Sequence, residues 1–356
     1  MSLIVTCNAG STNTKLAVFD AGTLECKDEQ VCYSLKETTE WLAGMAAEPL
    51  AAIAHRVVHG GTEFTTASRL DTATLSTLRS LIPLAPLHQP SALELVALAM
   101  QLFPHLPHIA CFDTAFHHTL PALEQRLPLP QDLHDAGIRR YGFHGLSYEY
   151  IATILPKLLE EMGGARVIAA HLGGGSSACA LRHGQSIATT MGFSTLDGLM
   201  MSTRSGALDA GVLLHLLKEK HWSTEAVSDL LYHRSGLLGV SGESADMRSL
   251  LASNAPHAQE AVDLYCYLAA KQMAGLLPAL GGVDVIVFAG GIGEHAAIIR
   301  ERICHHLRWL GVVLDPESNE QHQIIISTPE SAITACVIAT NEALCMAKQT
   351  KVLVGA

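Results

Sequence analysis

The chain is 356 residues long, 49% hydrophobic and only 16% charged. That is the profile of a well-buried protein with two domains of roughly 100–200 residues each, and not of a disordered chain. A net charge of −11, with no block of Lys or Arg, argues against nucleic acid or an anionic membrane as partner. An anionic ligand must then be held by a few placed cations, loop amides or a metal.

No apolar run approaches the roughly 18 residues of a membrane span. Met1–Val5 turns polar by Asn8 and has no basic flank, unlike a signal peptide. Nine cysteines, an odd number with no C-x-x-C pair, read as buried thiols of a reducing compartment, which points to the cytoplasm. The 19 histidines lack an H-E-x-x-H motif. His55 and His59 lie four apart on a β-like stretch, which sets them about 13 Å apart, too far for one zinc ion.

In chain order, Leu3–Cys7 and Leu16–Phe19 are short apolar runs on either side of Asn8–Lys15. The pattern is strand, small polar loop, strand, and the loop is either an anion cradle or a hydrophilic turn. Ser91–Leu102 has helical periodicity. Ser147–Glu161 reads as a helix capped by Ser147 and kinked at Pro156. Val167–His171, the Gly/Ser segment Leu172–Ser177 and Ala178–Leu181 then repeat the opening pattern. Two such hairpins at corresponding places point to a duplicated architecture.

Asp209 caps a helix reaching Leu217, and Ala258–Leu277 is a long, buried helix. Val283–Ala289 is a buried strand that runs into Gly290, Gly291, Ile292, Gly293 and Glu294. A helix follows, with Ile298, Ile299, Ile303, Leu307 and Leu310 as its apolar stripe and Gly311 as its stop. Strand, glycines and helix together let backbone approach a nucleotide. The spacing is neither that of a Walker A loop nor that of a dinucleotide-binding fingerprint. Alternating strands and helices give an α/β class.

Ten segments in order carry a resemblance over nearly the whole chain. They are Asn8–Lys15, His55–Gly61, Phe112–His117, Arg139–Gly145, His171–Ser177, Met191–Phe193, Ser202–Gly206, Asp246–Arg248, Ala289–Glu294 and Thr340–Glu342. Together they resemble the acetate kinase family, within the superfamily of acetate and sugar kinases, chaperone ATPases and actin. The resemblance implies a duplicated, two-domain, actin-like ATPase (ribonuclease H-like) fold, with mixed sheets flanked by helices and a nucleotide cleft between the domains. Domain I would span 1–115 plus 343–356, and domain II 116–342.

The implied activity is reversible, in-line transfer of the ATP γ-phosphoryl group to acetate. A carboxylate acceptor is already deprotonated near neutral pH, so the site must supply alignment and charge neutralisation and needs no strong base. By the resemblance, Arg56 pairs with the substrate carboxylate, Arg204 stands near the transferring phosphoryl, His144 hydrogen-bonds the transition state, and Asp113 positions substrate or metal. His88 is a second-rank candidate. Asn8 and Glu342 fall in the Mg²⁺ region, with Mn²⁺ as a substitute. Lys15 and His171, Leu172, Gly173, Gly174 and Gly175 would contact the phosphates. Asp246, Met247, Arg248, Gly291, Ile292, Gly293, Glu294 and His295 would surround the adenosine. Val58, Leu87, Phe143 and Thr195 would enclose the methyl group.

The sequence departs from the family pattern at Gly174 (usually Asn), Asn13 (usually Ser), Thr195 (usually Pro) and Ala210 (usually Pro). The stretch between Lys15 and Arg56 is also short. A propionate kinase is the neighbouring reading. An ATP-binding regulator or chaperone-like ATPase on the same fold is the reading of another class, but it would not need Arg56, His144 and a tiny pocket. A homodimer through domain II is the implied assembly.

Overall fold

The computed structural model describes residues 2–10, 13–158 and 164–355. Ser11 and Thr12 of the first Gly/Ser loop, and residues 159–161 of the expected helix, lie outside the described residues.

Two sheets are built on one plan. In the first, β1 (Leu3–Ala9), β2 (Thr14–Asp20) and β3 (Cys26–Cys32) form an antiparallel meander. β4 (Leu50–Val57) then pairs parallel to β1, and β6 (His108–Phe112) parallel to β4, with the short β5 (Ser68–Arg69) at the edge. The second sheet repeats this. β7 (Arg166–Leu172), β8 (Ser176–Arg182) and β9 (Gln185–Thr189) form the meander, and β10 (Val285–Ala289) and β11 (Thr334–Val337) add in parallel. The orders β3-β2-β1-β4-β6 and β9-β8-β7-β10-β11 are equivalent, so the duplication read from the two hairpins holds at the level of whole sheets.

Each parallel strand is buried on both faces, which is why it reads as a continuous apolar run. Along β10, Val285 and Val287 face Tyr148, Ile151 and Leu155 of the helix Gly145–Leu158. Ile286 and Phe288 alternate to the other face, against Val262, Tyr265 and Ala269 of the helix Pro256–Ala274. In the first sheet, Val5, Val18 and Ile53 pack with Leu95 and Ala99 of the helix Gln89–Leu102. The C-terminal helix Glu342–Val354 returns to this sheet, placing Met346 with Ala54 and Cys111, and Ala347 with Ile4 and Phe19.

Three details differ from expectation. The helix expected from Ser147 begins at Gly145 and continues through Pro156. The Gly145 N–H donates to the Asp113 carbonyl at 2.9 Å, so backbone supplies the cap and the Ser147 hydroxyl is free for other work. The stripe of the helix Ala297–Leu307 is Ile299, Ile303 and Leu307, whereas Ile298 is 39% exposed. Steps of four residues keep 299, 303 and 307 on one face and rotate 298 away. The helix expected to reach Leu277 stops at Ala274, and a short separate turn, Leu277–Leu280, follows.

Several histidines are buried in neutral form. Burial lowers His55 to about 3, with help from His108, and lowers His59 and His117 to about 4. Their folded values lie below the ordinary 6.5, so the unfolded chain gains protons first as the pH falls. The stability they contribute is complete above pH 6.5 and is lost between there and about 4, at up to about 1.4 kcal/mol per pH unit for each. The urea midpoint should therefore fall steadily below pH 6.5. A midpoint that stays level down to about pH 5 would show these rings are not neutral in the folded chain.

Candidate active site

The chemistry gathers where the parallel strands end. Arg56 lies one residue before the end of β4, Asp113 just after β6, and Asn8 one residue before the end of β1. The register sets Cys7 opposite His55 and Arg56 opposite Cys111, so the three side chains converge. Arg56 forks onto Asp113, with Nε 2.9 Å from Oδ1 and Nη2 2.6 Å from Oδ2. Its Nη1 donates to Asn8 Oδ1 at 3.0 Å, and Asn8 Nδ2 donates to Glu342 Oε2 at 2.9 Å.

Four residues far apart in sequence thus form one chain of contacts. Glu342 enters from the first turn of the C-terminal helix. Burial raises the Asp113 carboxyl against the pull of Arg56. Burial works the same way on Glu342, but Arg56, His171, Asn8 and Lys15 together hold it below its ordinary value. A guanidinium has five N–H groups. The network engages one on each nitrogen, which leaves one N–H on Nη1 and one on Nη2 for a ligand.

Across the cleft, Arg204 donates from Nη1 to the Thr195 carbonyl at 2.9 Å and has no carboxylate partner among the described residues. Burial lowers its guanidinium to about 10, with Tyr232 opposing and Arg56 adding to the effect. Such a cation favours an arriving anion. His88 stands near both arginines with its buried Nδ1 unpartnered among the described residues. Burial, then Arg204 and Arg56, lower it to about 4.

His144 has φ 58°, in the left-handed region, and stacks on His171 with ring centroids 4.5 Å apart. His171 Nδ1 lies 2.8 Å from Ser147 Oγ, which is where that hydroxyl is spent. The Gly173–Gly175 loop passes directly over this group. A Cβ on Gly175 would come 2.8 Å from Arg204 Nη2 and 3.2 Å from His144 Nε2, so any larger residue there would displace the guanidinium. Gly174 is different. Its nearest neighbour would be Ser202 Oγ at 3.9 Å, so a side chain has room at the position where Asn was expected.

The residues expected to enclose the methyl group come together only in part. Val58 and Phe143 are buried together with Ala85, Met191 and Met201. Leu87 is 37% exposed and lies outside that cluster. The reason is local: the backbone turns at Ala85, whose carbonyl accepts from the N–H groups of His88 and Gln89, so Ala85 faces in and Leu87 faces out. Thr195 is buried, and it is its carbonyl that holds Arg204.

On the nucleotide side, Gly290 has φ 75°, and its Cβ would meet the Leu172 carbonyl at 2.7 Å. Only glycine lets β10 turn against the second Gly/Ser loop. Gly291 is open, and its N lies 3.8 Å from a Cβ on Gly173. Glu294 accepts from the N–H groups of Gly290 and Thr340. Ile292 is half-buried, Gly293 buried and His295 exposed. Asp246 caps the helix Met247–Ala252 and pairs with Arg248, whose side chain is exposed. Lys15 is exposed opposite Asn8. Leu172 and Met247, expected as ATP contacts, carry their side chains into the hydrophobic core, because each is an apolar residue at a sheet or helix position that faces it. Only their backbone can face a ligand.

The sequence reading missed Ser147, Ser177 and Tyr148 behind the two histidines, and Arg300. Arg300 is fully buried and donates to the Gly293 and Glu294 carbonyls at 2.9 Å each and to Asn319. Nothing local marks such contacts, although an Arg within an apolar helical stripe was a signal available at 300. No cluster of three or more His, Cys, Asp or Glu suited to a metal is found among the described residues. The donors that do converge, Asn8, Asp113 and Glu342, are all oxygen ligands. They fit Mg²⁺, which keeps waters and shares phosphate oxygens and needs no protein cage.

The Acetokinase family profile matches residues 28–348. An acetate kinase of Rhodopseudomonas palustris (strain ATCC BAA-98 / CGA009) is 44% identical over 385 aligned positions, covering 97% of each chain. One of Rickettsia felis is 39% identical, covering 98% of each. Among solved structures, a propionate kinase from Francisella tularensis superposes with TM-score 0.91 at 36% identity, over 98% of this chain and 99% of that one. An acetate kinase from Porphyromonas gingivalis gives 0.88 at 30% identity, over the whole of both chains.

Proposed function

The chain belongs to the acetokinase family and is an acetate kinase, a phosphotransferase with a carboxylate acceptor and ATP/ADP as co-substrate, and we propose that the cleft described above carries out the transfer as follows. Acetate sits between the two spare N–H groups of Arg56 and the wall of Val58, Ala85, Phe143, Met191 and Met201. The γ-phosphoryl group lies under the Gly173–Gly175 loop, in line with the acetate oxygen. Arg204, a partly buried cation without a carboxylate partner among the described residues, meets the charge that spreads over the phosphoryl oxygens. This unpaired cation is the observation that carries the reading.

His144 donates to the same oxygens. Glu342, with Asn8 and Asp113 beside it, would hold Mg²⁺, which supplies neutralisation of the β- and γ-phosphate charge. Lys15 stands on the phosphate side, with Gly291 near the adenosine. Domain I is 1–115 with 343–356, and domain II is 116–342. The return of Met346 and Ala347 to the first sheet supports that division.

We also infer a homodimer and a cytoplasmic location. The helix Ala210–Lys218 has no buried residue, and Val212 is 40% and Leu214 53% exposed, with Leu208 49% exposed just before it, apolar side chains that a second copy would cover. Light scattering should give twice the monomer mass, and Leu214→Lys should halve it. A monomeric parent would remove the dimer. The nine cysteines form no disulfide among the described residues, and no described helix is long and apolar enough to cross a membrane.

The first test is acyl-phosphate formation with Mg-ATP and acetate, propionate or butyrate, trapped as hydroxamate. Arg204→Ala and Arg56→Ala should each lower kcat at least about 10²-fold. Near-normal turnover in both would end the mechanism. The second concerns the pocket. If Val58 bounds the methyl group, Val58→Ala should shift the kcat/KM ratio towards propionate by roughly 10-fold, the size of one methylene contact. An unchanged ratio would remove Val58 from the site.

A further inference from the structure

His144 is backed by a hydroxyl pair in which proton positions are fixed by counting. Its Nδ1 lies 2.8 Å from Ser177 Oγ, and Tyr148 Oη lies 2.5 Å from the same oxygen. Ser177 and Tyr148 are fully buried, and His144 is nearly so. Ser177 Oγ is the one hydrogen-bond acceptor within reach of the Tyr148 phenol among the described residues. A buried phenol proton left without an acceptor carries the full cost of its lost hydration. The phenol therefore donates to Ser177. Serine has a single proton. Besides the phenol, His144 Nδ1 is the one side-chain partner of Ser177 Oγ among the described residues, so the buried serine proton finds its acceptor there and the imidazole carries its own proton on Nε2.

That nitrogen faces the reacting side. It lies 3.2 Å from a Cβ position on Gly175, beside Arg204 Nη2. The ring plane is fixed separately by the stack on His171, interplanar angle 24°. We propose that Tyr148 and Ser177 are positioning residues that hold His144 as the neutral Nε2–H tautomer, so that it presents a hydrogen-bond donor to the phosphoryl oxygens under the Gly173–Gly175 loop. The proposal rests on the placement of the phosphoryl group given above. The reverse tautomer would aim a lone pair at phosphoryl oxygens and repel them as their charge grows. The role belongs to a neutral donor. The groups facing the ring, His171, Arg56, Arg204 and His117, all disfavour a second proton on it.

The test uses full-length protein labelled with ¹⁵N-histidine. Long-range ¹H–¹⁵N spectra report which nitrogen is protonated, and the His144 signals are assigned by their loss in His144→Gln. The parent should show the neutral Nε2–H form. Ser177→Ala should lower kcat at least about tenfold while leaving KM for acetate and ATP within about threefold, the pattern of a contact made in the transition state. Tyr148→Phe frees the serine proton to rotate, and should populate both tautomers with a smaller loss of kcat.

A parent spectrum with the proton on Nδ1, or with both nitrogens protonated near neutral pH, overturns the proposal. So does a Ser177→Ala enzyme whose kcat stays within about twofold. Should Ser177→Ala fail to fold, the parent spectrum and Tyr148→Phe decide, and a Tyr148→Phe protein with unaltered tautomer and kcat overturns it. Failure of the phosphoryl placement itself would look different: the parent would keep its Nε2–H signal, and that signal would not move when ATP is added.

Discussion

Everything in the cleft is referred to one buried cation. Arg56 binds Asp113 with two nitrogens and Asn8 with the third, and through Asn8 reaches Glu342. It thereby ties the ends of β1, β4 and β6 to the first turn of the C-terminal helix. Removing one partner from such a buried pair typically costs about 3–5 kcal/mol, because the other charge stays behind unpaired. The same network sets two carboxylates, Asp113 and Glu342, around one guanidinium, which offsets their mutual repulsion. A ligand-binding arginine that is already fixed in place loses little side-chain entropy on binding.

The repeated sheet explains why the site lies where it does. Each half sends parallel strands towards the same cleft and closes a tight hairpin beside it, so the two halves supply charges of different kinds to one place. The first half gives an arginine paired with a carboxylate and an amide, and Glu342 joins them from the start of the C-terminal helix. The second gives an uncompensated arginine beneath glycines whose absent side chains leave its guanidinium and His144 in reach of a ligand.

Much of this was legible in the chain. β-Branched runs, Gly/Ser hairpins and the long helices were visible because they follow from local periodicity, and the segments that meet at the candidate site from ordered motifs. What escaped depended on three-dimensional juxtaposition. Ser147 looked like a helix cap, but the Asp113 carbonyl took that role and released the hydroxyl to His171. Leu87 looked like pocket wall, but a turn at Ala85 pointed it outward. Leu172 and Met247 lie in segments expected to bind ATP and yet serve the core, because a motif names a stretch of chain and not the face each residue presents. Ser177 lies 33 residues from His144, and Tyr148 29 from Ser177, so no spacing rule could pair them.

The helix Gly145–Leu158 belongs to both halves. Leu146 packs with Ala54 and Met346 of the first sheet's core, while Tyr148, Ile151 and Leu155 pack with β7, β8 and β10 of the second. A rotation of one sheet against the other that spared both cores would have to treat this helix as its axle. His144 immediately precedes its first residue, and a point on an axle travels least. The hydrogen-bond donor would then hold a nearly constant position through such a movement, a fixed reference against which the arginines of the two halves swing.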